Sequence, residues 1–317
     1  MASLAAAVTA VAVLAVPAAA SAGAAGPTLL FQTTWGGANG DMGPGVAVAS
    51  DGSAYVTGLT ASFTTDASAQ IFAVKFGADG SLTWQRAWTG PTVFGSPGAA
   101  LAPDGSLYMT GTTTLGSDEG VVLKFEPNGN LLWQRVLSAG TRAQEADAVA
   151  TGPDGSAYVV GTITDFANGT PTQMSITKIA PDGTIAWQKA WTTATGQAVA
   201  VAPDGSVYAA GVTQSSPTTE ELVALKLAPD GSLDWARTFA AGTLADARGG
   251  AVAGPDGSLY LAGSLQGGKT GAPALVVKLN PDGTLAFDRS WGTGAFPTGI
   301  SLAADGTRSS PAPWATP

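Results

Sequence analysis

An Asp-Gly or Asn-Gly pair returns along this 317-residue chain at a spacing too regular for chance, and that spacing limits the fold more than any other feature. One set begins at Asp51, Asp104, Asp154, Asp204, Asp256 and Asp305, at intervals of 53, 50, 50, 52 and 49 residues. A second set, Asp79, Asn128, Asp182, Asp230 and Asp282, falls about midway between them. Self-similarity at such a period marks one supersecondary unit written several times. Each unit therefore carries two turns, and eight of the eleven pairs follow a Pro. Pro presets φ at the first corner, Asp or Asn suits the second, and Gly takes the left-handed position of a bulged hairpin.

Between the turns the chain is β-branched or aromatic and lacks helical periodicity, which predicts strands. In the first unit they are expected over 46–50, 54–60, 71–76 and 82–88. Columns recur from unit to unit. Tyr55, Tyr108, Tyr158, Tyr208 and Tyr260 are each followed three residues later by Gly58, Gly111, Gly161, Gly211 and Gly263. The fourth strand reads Leu82, Trp84, Arg86, Trp88, and the same places hold Leu131, Trp133, Arg135, Leu137 and Ile185, Trp187, Lys189, Trp191. A short four-stranded sheet with two apolar faces must be covered by the next copy. Radial repetition does this, so the expected fold class is all-β, a β-propeller of four-stranded antiparallel blades. A linear β-solenoid is the alternative, but its repeats are much shorter than about 50 residues.

The two ends of the chain carry parts of a further unit. Leu29, Phe31, Thr33 and Trp35 reproduce the fourth-strand column, and 298–303 with Asp305-Gly306 begin a sixth copy, after which 308–314 lose the pattern. We expect five complete blades plus an incomplete sixth formed by the two termini, with the propeller domain over 27–306 and an irregular tail over 307–317. At the start, the apolar stretch 4–16, Pro17 and then Ala20-Ser21-Ala22 fit a signal peptide over 1–22, hence a secreted or cell-surface protein. A plain Ala-rich leader is the alternative, because no basic residue precedes Leu4.

The string Asp51-Gly52-Ser53-Ala54-Tyr55-Val56-Thr57-Gly58, with Ala73-Val74-Lys75-Phe76 and Asp79-Gly80-Ser81-Leu82-Thr83-Trp84-Gln85-Arg86, resembles the bacterial SBBP-type β-propeller repeat family over roughly 28–306. The resemblance implies an exported or surface protein and little about chemistry.

Composition removes whole reaction classes. Cys and His are both absent, so there is no disulfide framework, thiol nucleophile, zinc-thiolate site, Ser-His-Asp triad or His-ligated metal. A net charge of −9 argues against a nucleic-acid partner or an anionic membrane surface. No cofactor or metal is expected, and no Asp-x-Asp-x-Asp ladder for calcium is present. The rhythm Asp182-Gly183-Thr184-Ile185-Ala186-Trp187 is faintly similar to quinone-cofactor propellers, without a ligand set to support one. Asn168-Gly169-Thr170 matches the glycosylation sequon.

Connectivity puts both tight turns of every unit on one side and the variable loops and crossings on the other, where rigid scaffolds usually present function. Of 14 basic residues, ten lie in two repeated columns, and ten of 23 acids lie in the turns. The candidates left for binding are Asp41, Asp118, Glu119, Arg142, Asp165, Glu220, Asp246 and Arg248. The innermost strands, 46–49, 99–102 and 199–202, are small and apolar, and Asp147 alone is placed to look into the axis. The leading expectation is a monomeric, exported, non-catalytic module that binds a protein or carbohydrate ligand through its variable face. The alternative is a carbohydrate-active enzyme, a glycoside hydrolase or lyase, using Glu145 and Asp147 as its carboxylate pair.

Overall fold

The computed structural model describes residues 8–10, 31–63, 69–88, 90, 93–95, 98–114, 118–166, 170–216, 219–239, 244–265, 273–292 and 297–302. The predicted turn at Asp305, the tail, the sequon asparagine and most of the leader lie outside these residues. Among them there is no helix.

Among the described residues, five four-stranded units follow one another. Sheet 1 comprises Asp41–Val48, Ala54–Thr60, Gln70–Phe76 and Leu82–Trp88. In sheet 2 the inner strand is split into Val93–Phe94 and Ala99–Leu101, followed by Leu107–Thr114, Asp118–Phe125 and Leu131–Leu137. Sheet 3 has Ala143–Gln144 and Ala148–Thr151, then Ala157–Asp165, Thr170–Ile179 and Ile185–Thr192. Sheet 4 is Ala194–Val201, Val207–Ser216, Thr219–Leu227 and Leu233–Phe239; sheet 5 is Leu244–Asp246 with Ala251–Ala253, then Leu259–Leu265, Ala274–Leu279 and Leu285–Trp291. The strands within a unit pair antiparallel in chain order, and a parallel bridge, Glu119 to Gln144, joins sheets 2 and 3.

The turns form as their residues dictate. The Gly52 amide donates to the Ala49 carbonyl at 2.9 Å, the Ala49 amide donates to the Ser53 carbonyl, and Asp51 Oδ1 accepts from the Ser53 amide. Gly52 has φ 81°, and the equivalent glycines run from 76° at Gly155 to 87° at Gly183, a region open to Gly at little cost.

Each hydrophobic core is shared between neighbouring sheets. Tyr55, Ile71 and Trp84 pack with Leu107, Leu123 and Phe125; Tyr108 and Val122 pack with Val149, Val159 and Ile179. Val160 and Ile176 meet Val207 and Leu225, and Tyr208, Leu222 and Trp235 meet Leu261 and Val277. Inner strands of successive sheets lie side by side. This succession of face-packed four-stranded sheets is a propeller-like all-β fold.

The repeated polar residues pin one sheet to the next. The indole Nε1 of Trp84, Trp133, Trp187 and Trp235 donates to the carbonyls of Pro127, Pro181, Pro229 and Pro281, at 3.0, 3.0, 3.1 and 2.9 Å. The same rings lie on the turn glycines of the next sheet, where a Cβ on Gly129 would stand 2.8 Å from Trp84 and one on Gly183 3.0 Å from Trp133. Arg86 and Arg135 donate Nε to the carbonyls of Gly129 and Gly183. The Lys column covers the Tyr column, with Lys75 Nζ 4.9 Å from the Tyr55 ring centroid, and Lys178 pairs with Asp154 at 2.9 Å. The five Lys of the third strand, with Arg86 and Arg135 of the fourth, thus have architectural places.

The N-terminal strand occupies the outer-strand place against sheet 1. Phe31 lies on Gly80 as Trp84 lies on Gly129, Trp35 packs on Phe72 with ring centroids 4.3 Å apart, and Trp35 Nε1 donates to Gln85 as Trp88 does to Gln134. Its described pairing partner is Val8–Ala10, inside the segment read as a leader, rather than the C-terminal piece. At the other end Ile300 lies against the sheet 5 inner strand, 3.7 Å from where a Gly250 Cβ would be.

Candidate functional site at the crossing end

The first strand of a unit does not pair regularly along its length. It bulges opposite the Gly that follows the column Tyr, and the register shifts between Met42 and Gly45, Gly196 and Ala198, and Leu244 and Asp246. The reason is a close backbone approach. A Cβ on Gly58 would lie 1.8 Å from the Met42 carbonyl oxygen, on Gly161 1.9 Å from Glu145, on Gly211 1.8 Å from Thr195, and on Gly263 2.3 Å from Asp246. A side chain at these four positions would overlap backbone, which explains four glycines of the column, whereas a Cβ on Gly111 would meet the Ile71 side chain at 2.5 Å. Bulges re-aim side chains. Two residues past three of these carbonyls stand Asp147, Gln197 and Arg248, so one backbone device presents three different side chains.

In sheet 3 the bulge spans 145–147, with the Glu145 amide donating to the Thr162 carbonyl at 2.8 Å and the Asp147 amide to that of Val160 at 2.9 Å. Both carboxyls are half-buried. Burial, reinforced by the charge of Glu145, pushes the Asp147 carboxyl up to about 7, against the opposing pull of Arg248 and of a hydrogen bond from Thr162. The Glu145 carboxyl is raised as well, by burial and then by Asp118, again with Arg248 opposing. The structure therefore brings together Asp118, Glu145, Asp147 and Arg248, one acid from sheet 2, two from sheet 3 and a cation from sheet 5.

A hydrogen-bonded chain continues between the sheets. Thr162, buried on the second strand of sheet 3, also accepts from the Gly196 amide at 3.2 Å, and Gln197 Oε1 accepts from the Ala247 amide at 2.6 Å. Arg248 is exposed, its amide donating to Asp246 Oδ1 at 3.3 Å. Sequence reasoning missed Thr162 and Gln197. Aligning the crossings on the column Gly would have put Gln197 in the same place as Asp147 and Arg248.

Asp41 latches its own loop: Oδ2 accepts from the Gly37 amide at 3.0 Å and the Ser62 hydroxyl at 2.8 Å, Oδ1 accepts from the Thr60 hydroxyl, and these bonds hold its carboxyl below the ordinary range despite partial burial. Arg142 is committed to Gln173 Oε1 at 3.0 Å. Glu119 pairs with Thr113 and bridges to Gln144. Asp165 pairs with Thr170 at the tip of its hairpin, and Glu220 pairs with Gln214. The exposed Val46 and Val48 agree with an apolar inner strand in sheet 1.

Among the described residues no group of three or more His, Cys, Asp or Glu is arranged to hold a metal, and no helix is long and apolar enough to cross a membrane. The raised carboxyl of Asp147 is the group of this cluster suited to take up or release a proton near neutral pH.

No family model and no curated protein matches the chain. Among solved structures it is similar to a protein of unknown function from Bacteroides caccae, 14% identical over 86% of this chain and 90% of that one, with a TM-score of 0.55. A second, from Dyadobacter fermentans and also of unknown function, is 15% identical over 80% and 83%, with a TM-score of 0.53. At such identity the likeness concerns the fold alone.

Proposed function

We propose that the chain is an exported, non-catalytic propeller of the SBBP type, five blades plus a sixth assembled from its two ends, which binds a polar ligand at the crossing end. The single observation behind this reading is the bulge cluster, where Asp147, Gln197 and Arg248 take equivalent backbone places in three successive sheets and differ in every one. A repeated scaffold that varies its side chains at one place is built to present them. Carbohydrate suits the donor and acceptor set, since acid, amide and guanidinium groups read hydroxyl patterns. The test is binding of the full chain to an array of immobilised glycans, with Asp147→Asn and Arg248→Gln beside it. Saturable binding lost in both variants, with unchanged melting, supports the reading; binding that both variants retain overturns it.

The carbohydrate-active alternative has its own observation. A carboxyl titrating at about 7 is suited to general acid chemistry at neutral pH, and Glu145 is the second carboxyl beside it. Polysaccharide turnover by the wild-type chain, abolished in Glu145→Gln and Asp147→Asn, would replace the binding reading with this one.

A further inference from the structure

Two Asn-Gly sequences lie among the described residues, and the fold treats them in opposite ways. Asn is a thermally labile residue, and before Gly it is prone to one reaction above all: the following amide nitrogen attacks the side-chain carbonyl, with no Cβ in the way. At Asn128-Gly129 that nitrogen is taken. The Gly129 amide donates to the Glu126 carbonyl at 2.8 Å, Gly129 is buried under the Trp84 ring, and Asn128 Oδ1 accepts from the Asn130 amide at 2.9 Å. At Asn39-Gly40 both residues are exposed. The Gly40 amide donates no hydrogen bond to a described residue, and a Cβ on Gly40 would meet nothing within 4 Å.

We propose that Asn39 is a spontaneous modification site, which deamidates in the folded chain while Asn128 is protected, and that the change unfastens the loop leading into the first strand of sheet 1. The Gly40 nitrogen gives up its proton and bonds to Asn39 Cγ, the Cγ–Nδ2 bond breaks, and ammonia leaves. Water then opens the succinimide ring at one of its two carbonyls. The product is an aspartyl residue, or an isoaspartyl residue with an extra methylene in the main chain. The loop depends on the side chain that is lost. Asn39 Nδ2 donates to the Ala61 carbonyl at 2.9 Å and the Asn39 amide donates to Ser62 Oγ at 3.2 Å, while Ser62 Oγ lies 3.1 Å from the Asn39 carbonyl and 2.8 Å from Asp41 Oδ2. An ionised carboxylate only accepts, so either product gives up the bond to Ala61 and adds a second negative charge to the Asp41 loop.

The test is incubation of the full chain at mildly alkaline pH in heavy-oxygen water, followed by peptide mapping, since ring opening leaves the label at the converted residue. In the folded chain, label should accumulate at position 39 and stay at background at position 128, whereas in urea both positions should take it up at similar rates. Gly40→Ala puts its methyl group into open space and should slow the reaction at position 39 severalfold with an unchanged melt. After conversion, hydrogen exchange at the Ala61 amide, which donates to the Gly40 carbonyl at 3.0 Å, should quicken severalfold. Equal labelling of the two positions in the folded chain, no label at position 39, or an undiminished rate in Gly40→Ala overturns the assignment. Unchanged exchange at Ala61 in the converted chain overturns the unfastening.

Discussion

At the turn end of the sheets the same contacts return unit after unit, whereas at the crossing end the backbone returns and the side chains do not. Trp-to-Pro hydrogen bonds, the Lys–Tyr stack and the Asp-Ser turn bond recur there with nearly constant distances. The bulge opposite the column Gly recurs in sheets 1, 3, 4 and 5, yet Asp147, Gln197 and Arg248 occupy it in sheets 3 to 5. Repetition of a side chain identifies what every sheet needs in order to dock on its neighbour. Repetition of backbone geometry with changing side chains identifies where the scaffold is free to specialise.

The strongest way to break that comparison is to attack the backbone device that the crossing end shares. Gly161→Val would drive a Cβ into the Glu145 carbonyl, 1.9 Å away. Neither group is the far end of a flexible side chain, so the strand must separate from its partner. We expect a loss of about 5 kcal/mol, or no cooperative melt at all. A melt unchanged from wild type would mean that the bulge is not required.

The two ends also titrate in opposite directions. Asp147 has its carboxyl raised in the folded chain, so its protonated form is favoured by folding. No penalty exists below the unfolded value near 3.8, and the cost grows as pH climbs from about 4 to about 7, then levels off. A raised carboxyl of this size corresponds to on the order of 4 kcal/mol. The turn acids behave inversely. Hydrogen bonds from the Ser258 hydroxyl and amide hold Asp256 at about 2, and Asp51 and Asp79 are lowered in the same way by Ser53 and Ser81. Their contribution is present above the unfolded value and is lost as pH falls below about 4. Chemical denaturation across pH 3 to 8 should therefore show stability peaking on the acid side of neutrality. In Asp147→Asn the decline from 4 to 7 should shrink markedly, leaving the smaller part due to Glu145, while the acid limb stays. An identical decline in the variant would remove Asp147 from the explanation.

A change at the turn end gives a smaller, local loss. Trp133→Ala removes the ring lying on Gly183, its tilted contact with Tyr108 at 5.6 Å between centroids, and the hydrogen bond to Pro181. Because the ring is only half-buried, the cost should be about 2–3 kcal/mol, measured by urea denaturation. The same substitution at Trp187 should cost a similar amount, since the contacts repeat. A tenfold difference in their unfolding constants would show that the units are not equivalent.

The scaffold was readable because its causes are local and repeated. An Asp-Gly turn needs only its own residues, and a Trp column at a fixed offset from it implies a fixed neighbour. The second and fourth strands of sheet 1 fall where the pattern put them, over Ala54–Thr60 and Leu82–Trp88. The first strand begins at Asp41 instead of position 46, because Gly43-Pro44-Gly45 interrupts the alternation at the bulge while pairing resumes beyond it. The cluster was half readable for a related reason. Charge marked Asp118, Glu145, Asp147 and Arg248 as candidates, but Thr162 lies inside a strand and Gln197 carries no charge, and only the fold shows that they link sheet 3 to sheet 5. Asp41 stood out by charge as well, as an acid in a Gly-rich loop, and the fold adds that both its oxygens accept hydrogen bonds within that loop.

The smallest effect is the most specific to the cluster. Arg248 belongs to sheet 5, two sheets beyond Asp147 in the chain, yet it opposes the upward shift of both Asp147 and Glu145. A cation felt from that distance in sequence requires the crossings to converge around one mouth. Arg248→Gln should therefore move the Asp147 titration further upward by a few tenths of a unit, the size expected of one charge across a partly solvated gap, with little change in melting because Arg248 is exposed. Carboxyl titration by NMR resolves such a shift. High salt should shrink the difference between the two chains, since screening weakens the wild-type interaction that the variant has already lost. An unmoved titration would mean that the crossings of sheets 3 and 5 do not share a mouth, and the ligand site would have to be drawn within sheet 3 and its neighbours alone.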